Sequence, residues 1–148
     1  MKKEEFIEEL KQNNYLYEIE GDKIIVTHDG YVYLNSLETL PPGVEFRNGG
    51  SVWLNSLKTI PSGVEFRNGG HVSLRSLKTI PSGAEFRNRG SVSLGSLKTL
   101  PPGVEFRNGW NVYLGGILGG WLDEWEGNIE GVDDKRLLRL MANKELFL

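Results

Sequence analysis

Val32-Tyr33-Leu34-Asn35-Ser36-Leu37-Glu38-Thr39-Leu40-Pro41-Pro42-Gly43-Val44-Glu45-Phe46-Arg47-Asn48-Gly49-Gly50 is followed, twenty residues on, by Val52-Trp53-Leu54-Asn55-Ser56-Leu57 and the same march to Gly70. The period holds along the middle of the chain: Pro41, Pro61, Pro81 and Pro101 share a column, as do Phe46, Phe66, Phe86 and Phe106, and Asn48, Asn68, Asn88 and Asn108. The unit reads V-x-L-x-S-L-x-x-[LI]-P-x-G-[VA]-E-F-R-N-x-G-x, with four copies from Tyr31 to Trp110 and a fifth that begins at Asn111-Val112-Tyr113-Leu114 and then diverges. Self-similarity at a fixed period of this length is the signature of stacked coils that share one continuous core.

Within each unit Val-x-Leu and Val-Glu-Phe-Arg alternate apolar and polar residues, the period of a half-buried strand, so the spacing predicts two short strands per coil. In the first copy this sends Val32, Leu34, Val44 and Phe46 inward, with Leu37 and Leu40 filling the corner, and Tyr33, Glu45 and Arg47 outward. Pro-x-Gly supplies one turn and Asn48-Gly49-Gly50 the other corner. Coils about 4.8 Å apart then pair each strand with its equivalent in the next copy, giving parallel sheets without helical crossovers. The Asn column is expected to point inward, each amide bonding the corner backbone and the amide above it. Ile24 and Val26 match the Val44 and Phe46 columns, so residues 24–30 form the second half of an incomplete first coil.

A stack of coils exposes apolar core and strand edges at both ends and needs polar caps. Glu4 to Asn13 reads as a helix with Phe6, Ile7 and Leu10 on one face. Asp133 to Leu146 reads as a second, with Asp133 as N-cap, a Val132 to Leu137 staple, and a Leu137, Leu138, Leu140, Met141 stripe. The expected organisation is one domain: an N-terminal capping helix and half-coil over residues 1–30, a solenoid over 31–116, and a C-terminal cap over 117–148. Leu114-Gly115-Gly116-Ile117-Leu118-Gly119-Gly120 lets the chain leave the solenoid for that cap.

The 148 residues carry no cysteine, which excludes disulfides and thiolate chemistry and favours a cytoplasmic setting. No apolar run approaches the roughly 20 residues that span a bilayer, so no membrane partner is expected. Charge divides along the chain: residues 31–110 carry nine Lys/Arg against five Asp/Glu, while residues 1–30 and 111–148 have nets of -4 and -3. A middle of only +4 lacks the strongly basic face of a nucleic-acid binder. Acidic ends disfavour head-to-tail stacking of molecules, and a monomer is favoured over a dimer.

The L-x-x-[LI]-P-x-G and V-x-L segments resemble short bacterial leucine-rich repeats over residues 31–116. The match departs where Ser36, Ser56, Ser76 and Ser96 stand in place of the family's usual Asn. The whole chain, including Glu20-Gly21-Asp22-Lys23-Ile24-Ile25-Val26-Thr27 and Trp125-Glu126-Gly127-Asn128, also resembles uncharacterised twenty-residue repeat proteins of gut bacteria and their phages. The fold class is therefore a mainly β, leucine-rich-repeat-like parallel β-solenoid with helical caps. The resemblance implies a protein-interaction module.

No nucleophile, metal or nucleotide pattern stands out, so catalytic residues, metal and cofactor are expected to be none and the chain is expected not to be an enzyme. His28 and His71 occupy a ladder column and a tolerant corner. Glu45, Glu65, Glu85 and Glu105 beside Arg47, Arg67, Arg87 and Arg107 read as a surface ion-pair lattice rather than the two facing carboxylates of a hydrolase. Trp110, Trp121 and Trp125 read as core of the C-terminal cap.

Departures from the repeat carry more information than the repeat, because stacking alone would permit the consensus everywhere. Tyr33, Trp53 and Tyr113 stand in an outward column where the middle copies have Ser73 and Ser93, and large outward aromatics are enriched at interface hot spots. Either they form a binding patch, or the N-terminal segment with Tyr15 and Tyr17 packs over Tyr33 and Trp53. The third copy adds Arg75 and Arg89, which with His71, Lys78 and Arg87 form the most basic spot on the molecule. Tyr33, Trp53, His71, Arg75, Arg89 and Tyr113 are thus the candidate contacts for a partner, with another protein the first reading and nucleic acid a weaker one. An inhibitor of phage origin acting on a host enzyme or nucleic acid, and a self-associating structural component, are the alternatives.

Overall fold

Each coil crosses the core twice, and the two crossings build two separate parallel sheets. The computed structural model describes residues 1–97, 101 and 103–114. After helix α1 (Lys3–Gln12), strands β1 (Tyr17–Glu20) and β2 (Lys23–Val26) form a hairpin. Strands β3 (Val32–Tyr33), β5 (Val52–Trp53), β7 (Val72–Ser73), β9 (Val92–Ser93) and β11 (Val112–Tyr113) come from the Val-x-Leu half of each unit. Strands β4 (Val44–Phe46), β6 (Glu65–Phe66), β8 (Glu85–Phe86) and β10 (Glu105–Phe106) come from the Val-Glu-Phe-Arg half. Sheet A runs β1-β2-β4-β6-β8-β10 and sheet B runs β3-β5-β7-β9-β11. The architecture is a mainly β solenoid of about four turns.

Register follows the sequence period without slippage: Phe46 pairs with Phe66, Val52 with Val72, and Ile24 and Val26 with Val44 and Phe46. Parallel pairing in register places identical side chains above one another, and the core exploits it. Successive Phe rings from Phe46 to Phe106 stack 5.2–5.4 Å apart at interplanar angles of 4–8°. The predicted inward set of the first copy is buried, including the corner pair Leu37 and Leu40.

The turn into sheet A needs glycine. Gly43, Gly63, Gly83 and Gly103 have φ between 77° and 86°, the third position of a type II turn, and in the third copy the Ala84 N–H closes that turn onto the Pro81 carbonyl at 3.3 Å. At the opposite corner close contact favours glycine, a Cβ on Gly69 lying 2.4 Å from the Gly49 carbonyl oxygen, although Arg89 in the same column shows that the corner can shift to take a side chain.

At the corner the structure corrects the expected amide ladder. Asn48, Asn68, Asn88 and Asn108 are buried, and each Nδ2 donates to backbone carbonyls of the preceding coil, of its own and of the start of the next; for Asn68 these are Gly50, Gly70 and His71 at 3.0–3.3 Å. The Oδ1 atoms accept no hydrogen bond from the protein. Both Nδ2 protons are already taken by these corner carbonyls, so none is left to donate to the amide above.

Helix α1 lies one residue N-terminal of the expected Glu4 to Asn13, with Phe6 and Leu10 fully buried in the core that includes Ile24 and Val26. The β1–β2 hairpin is an addition to the expected organisation, reversing over Gly21-Asp22 with Glu20 opposite Lys23. The predicted helix from Asp133 to Leu146, the Gly-rich exit, and Trp121 and Trp125 lie outside the described residues. Among the described residues no helix is long and apolar enough to cross a membrane.

Candidate functional site

The two sheets present outer faces of different character. On sheet A the Glu and Arg columns run uninterrupted, and each arginine pairs with the glutamate two residues before it: Arg67 to Glu65 at 3.2 Å, Arg87 to Glu85 at 3.3 Å, Arg107 to Glu105 at 3.1 Å, and Arg47 to Glu45. Lys23 adds a second cation 3.8 Å from Glu45. The expectation that Glu45 is a surface group is overturned: it lies on the outer face but is only 2 % exposed. Burial pushes its carboxyl above the usual range, and so does its hydrogen bond to Glu65, which faces it in the ladder; Arg47 pulls the other way. Glu65 is held below the usual range, first by that same bond and then by Lys23 and Arg67.

Sheet B carries three outward columns. Coil by coil they read Tyr31-x-Tyr33-x-Asn35, Ser51-x-Trp53-x-Asn55, His71-x-Ser73-x-Arg75, Ser91-x-Ser93-x-Gly95 and Asn111-x-Tyr113. Tyr33 is 54 % exposed and Tyr113 53 %. The N-terminal segment does not bury the Tyr33 ring. Tyr15 instead takes the edge of the strand, its hydroxyl accepting the Tyr33 backbone N–H at 3.0 Å. Trp53 is half-buried between neighbouring rings, edge-on to Tyr31 at 5.7 Å and tilted against Tyr33 at 6.1 Å.

The side columns are held by their own backbone. The Asn35 Oδ1 accepts the Asn55 N–H at 2.8 Å, and the Asn55 Oδ1 accepts the Arg75 N–H at 3.3 Å and the Ser73 hydroxyl at 2.6 Å. On the other side the Ser51 hydroxyl accepts the His71 N–H at 3.0 Å, and the His71 Nδ1 accepts the Ser91 N–H at 2.8 Å. His71 is therefore a corner acceptor, with the ring proton on Nε2, and lies edge-on to Trp110 at 6.3 Å. Trp110, expected in the core of the cap, is 63 % exposed. His28 does not repeat the Asn role in its column; its Nδ1 faces the Leu16 N–H at 3.5 Å and its ring packs on Tyr15.

Where the third and fourth copies carry serine, the face sinks into an open depression of about 420 Å³. Trp53 and Tyr113 stand at its two ends, His71 and Arg75 at its sides, and Ser73, Ser91 and Ser93 on its floor. Four of the six candidate contacts are thus brought together. Tyr33 lies one coil beyond Trp53, and Arg89, exposed on the Asn corner, does not line the depression. The serines that create it were missed in the sequence, though their signal was there as the two small residues in an otherwise aromatic column. Tyr31, which braces Trp53, was also missed. Among the described residues no group of three or more His, Asp or Glu side chains is placed to hold a metal ion. Neither a protein-family model, nor a curated protein, nor a solved structure matches the chain.

Proposed function

We propose that this chain is a non-enzymatic interaction module that engages another protein through the outer face of sheet B. The observation that carries the reading is the contrast between the two outer faces. Sheet A repeats one pattern and neutralises its own charge coil by coil, whereas sheet B varies from copy to copy and exposes aromatic rings that its own packing does not require. The likeness of L-x-x-[LI]-P-x-G to leucine-rich repeats supports a binding role, and the lack of cysteine supports a cytoplasmic one. The test replaces Tyr33 and Trp53 by the serine their column tolerates elsewhere. The double variant is expected to melt with the parent yet lose a cross-linked partner that the parent captures from host lysate; equal capture by both overturns the reading.

Self-association has one observation in its favour. Strand β1 is a sheet edge, and Leu16 and Ile19 beside and within it are each 60 % exposed. Glu18 and Glu20 on the same strand oppose it by like-charge repulsion between copies. Light scattering across a concentration series decides: a monomer removes this second reading.

A further inference from the structure

The geometry points to a specific ligand for the serine-floored depression of sheet B: an extended peptide segment of a partner protein that presents one carboxylate between two apolar side chains, in the order apolar-x-acidic-x-apolar. This rests on the interaction reading above and names the chemistry of its contact.

Charge supplies the first step. Among the described residues, Arg47, Arg67, Arg87 and Arg107 each meet a carboxylate, whereas Arg75 at the side of the depression meets none. Hydrogen-bond capacity supplies the second. The acceptors nearest the floor are already engaged, the Asn55 Oδ1 by Ser73 and the Arg75 N–H, and the His71 Nδ1 by the Ser91 N–H. What remains is the Arg75 guanidinium, the proton on His71 Nε2 and the hydroxyls of Ser91 and Ser93, a set in which every group can donate. Such a set matches a group that only accepts, and a carboxylate is the simplest. A neutral sugar would leave the Arg75 guanidinium without the counter-charge that a carboxylate supplies. A nucleic acid strand would bring a phosphate every nucleotide, whereas this face offers one unpaired arginine rather than a basic track.

Length supplies the third. Trp53 and Tyr113 are three coils apart, about 14 Å at about 4.8 Å per coil, and four residues of extended peptide span about the same distance. Because side chains alternate, residues one, three and five of such a segment face the sheet together. Running along the stack, the first and fifth lie over Trp53 and Tyr113, and the third lies over the serines within reach of Arg75.

The probe is the capped pentapeptide Phe-Ala-Glu-Ala-Phe, titrated into the isotope-labelled full chain by NMR beside its Gln counterpart. The expected shifts centre on the Trp53 indole, Ser73, Arg75 and Ser93, with the Glu peptide bound about tenfold more tightly, as a charge-assisted pair would give. Arg75→Gln removes that preference. Arg89→Gly, which restores the repeat residue away from the depression, keeps it. Ser93→Trp, a side chain the same column holds at Trp53, fills the depression and blocks both peptides. Equal affinity for the Glu and Gln peptides overturns the inference, as does a Glu preference that survives Arg75→Gln. So does tighter binding of oligothymidylate or of a galacturonic acid disaccharide at the same resonances. Peptide failure beside a partner still captured in a Trp53-dependent way removes only the depression as the contact; failure of both removes the interaction reading.

Discussion

Sheet A and sheet B descend from the same repeat and are held by the same register, yet one is monotonous on its outer face and the other is not. On sheet A each of the four full copies carries Glu, Phe and Arg, and each of these arginines finds its carboxylate two residues back in its own coil. On sheet B the inward Val and Leu are invariant while the outward positions change from tyrosine to tryptophan to serine, and from asparagine to arginine to glycine. The inner faces vary only slightly, as where Ala84 stands in a valine column, because a substitution in one coil is felt by the coils above and below. The outer face of sheet A could vary and does not, since in-register stacking puts four carboxylates in line and each needs its cation. The outer face of sheet B is therefore where copies are able to differ without loss of the stack, and where they do differ.

The largest effect that sharpens this contrast lies in the shared core. Phe66→Ala removes a ring sandwiched between Phe46 and Phe86 and leaves a void that a one-dimensional core closes poorly, so urea melts should show a loss of about 3–5 kcal/mol. Trp53→Ser, on the outer face of sheet B, should cost no more than about 1 kcal/mol by the same measurement. Comparable losses at the two positions would break the distinction between structural and variable columns.

Next in size is the corner that joins the sheets. Asn68→Ala strips three backbone carbonyls of a buried donor and should cost about 1–3 kcal/mol, again by urea melt. Asn68→Asp keeps the shape but not the two N–H donors, and should be at least as damaging at neutral pH. A tolerated Asp would mean that volume, not donation, fixes the column.

Most of the solenoid was legible because two periodicities, twenty along the chain and two within each strand, agree on the same residues. Val32, Leu34, Val44 and Phe46 satisfy both at once, and all four are buried. Strand β1 was less legible because, unlike β2, it belongs to no repeat, although Tyr17-Glu18-Ile19-Glu20 alternates and Gly21-Asp22 is turn chemistry. Glu45 was misread because strand alternation assigns a face and not a depth: Ile25, its partner on β2, is itself buried on that outer side. The depression on sheet B was half legible. Its aromatic and cationic rim is made of large side chains that draw notice in the sequence, whereas its floor is serine, and small residues become a feature only when three-dimensional neighbours stand above them.

A smaller effect comes from the one coil whose sheet A column is short of a side chain. Ala84 replaces the valine of Val44, Val64 and Val104, and a gap of about 140 Å³ opens there against Phe66 and Phe86. Ala84→Val should fill part of it and raise stability by about 1 kcal/mol, read as a higher urea midpoint at unchanged slope. A lower midpoint would mean the third coil has closed around alanine and differs from its neighbours in backbone as well as in sequence.

The smallest effect divides sheet A within itself, between its buried first carboxylate and its more exposed third. Glu45 sits above the usual glutamate range because burial and its bond to Glu65 both favour its neutral form; its contribution to stability is therefore full at low pH and fades as pH rises through the folded value. Glu85 is held below that range, first by its bond with Glu105 and then by Arg87, so its contribution is present above the unfolded value and is lost as pH falls through the folded one. The two glutamine variants should accordingly respond to acid in opposite directions. Glu45→Gln should melt at or above the parent near about pH 7 and lose that advantage toward about pH 4, where the parent's carboxyl is itself neutral. Glu85→Gln should melt slightly below the parent at neutral pH, by less than about 1 kcal/mol for so exposed a pair, and converge on it in acid. Thermal melts of the three proteins across that range measure both slopes. Parallel slopes would show that the glutamate column titrates as one uniform lattice, and that the burial of Glu45 has no consequence for its charge.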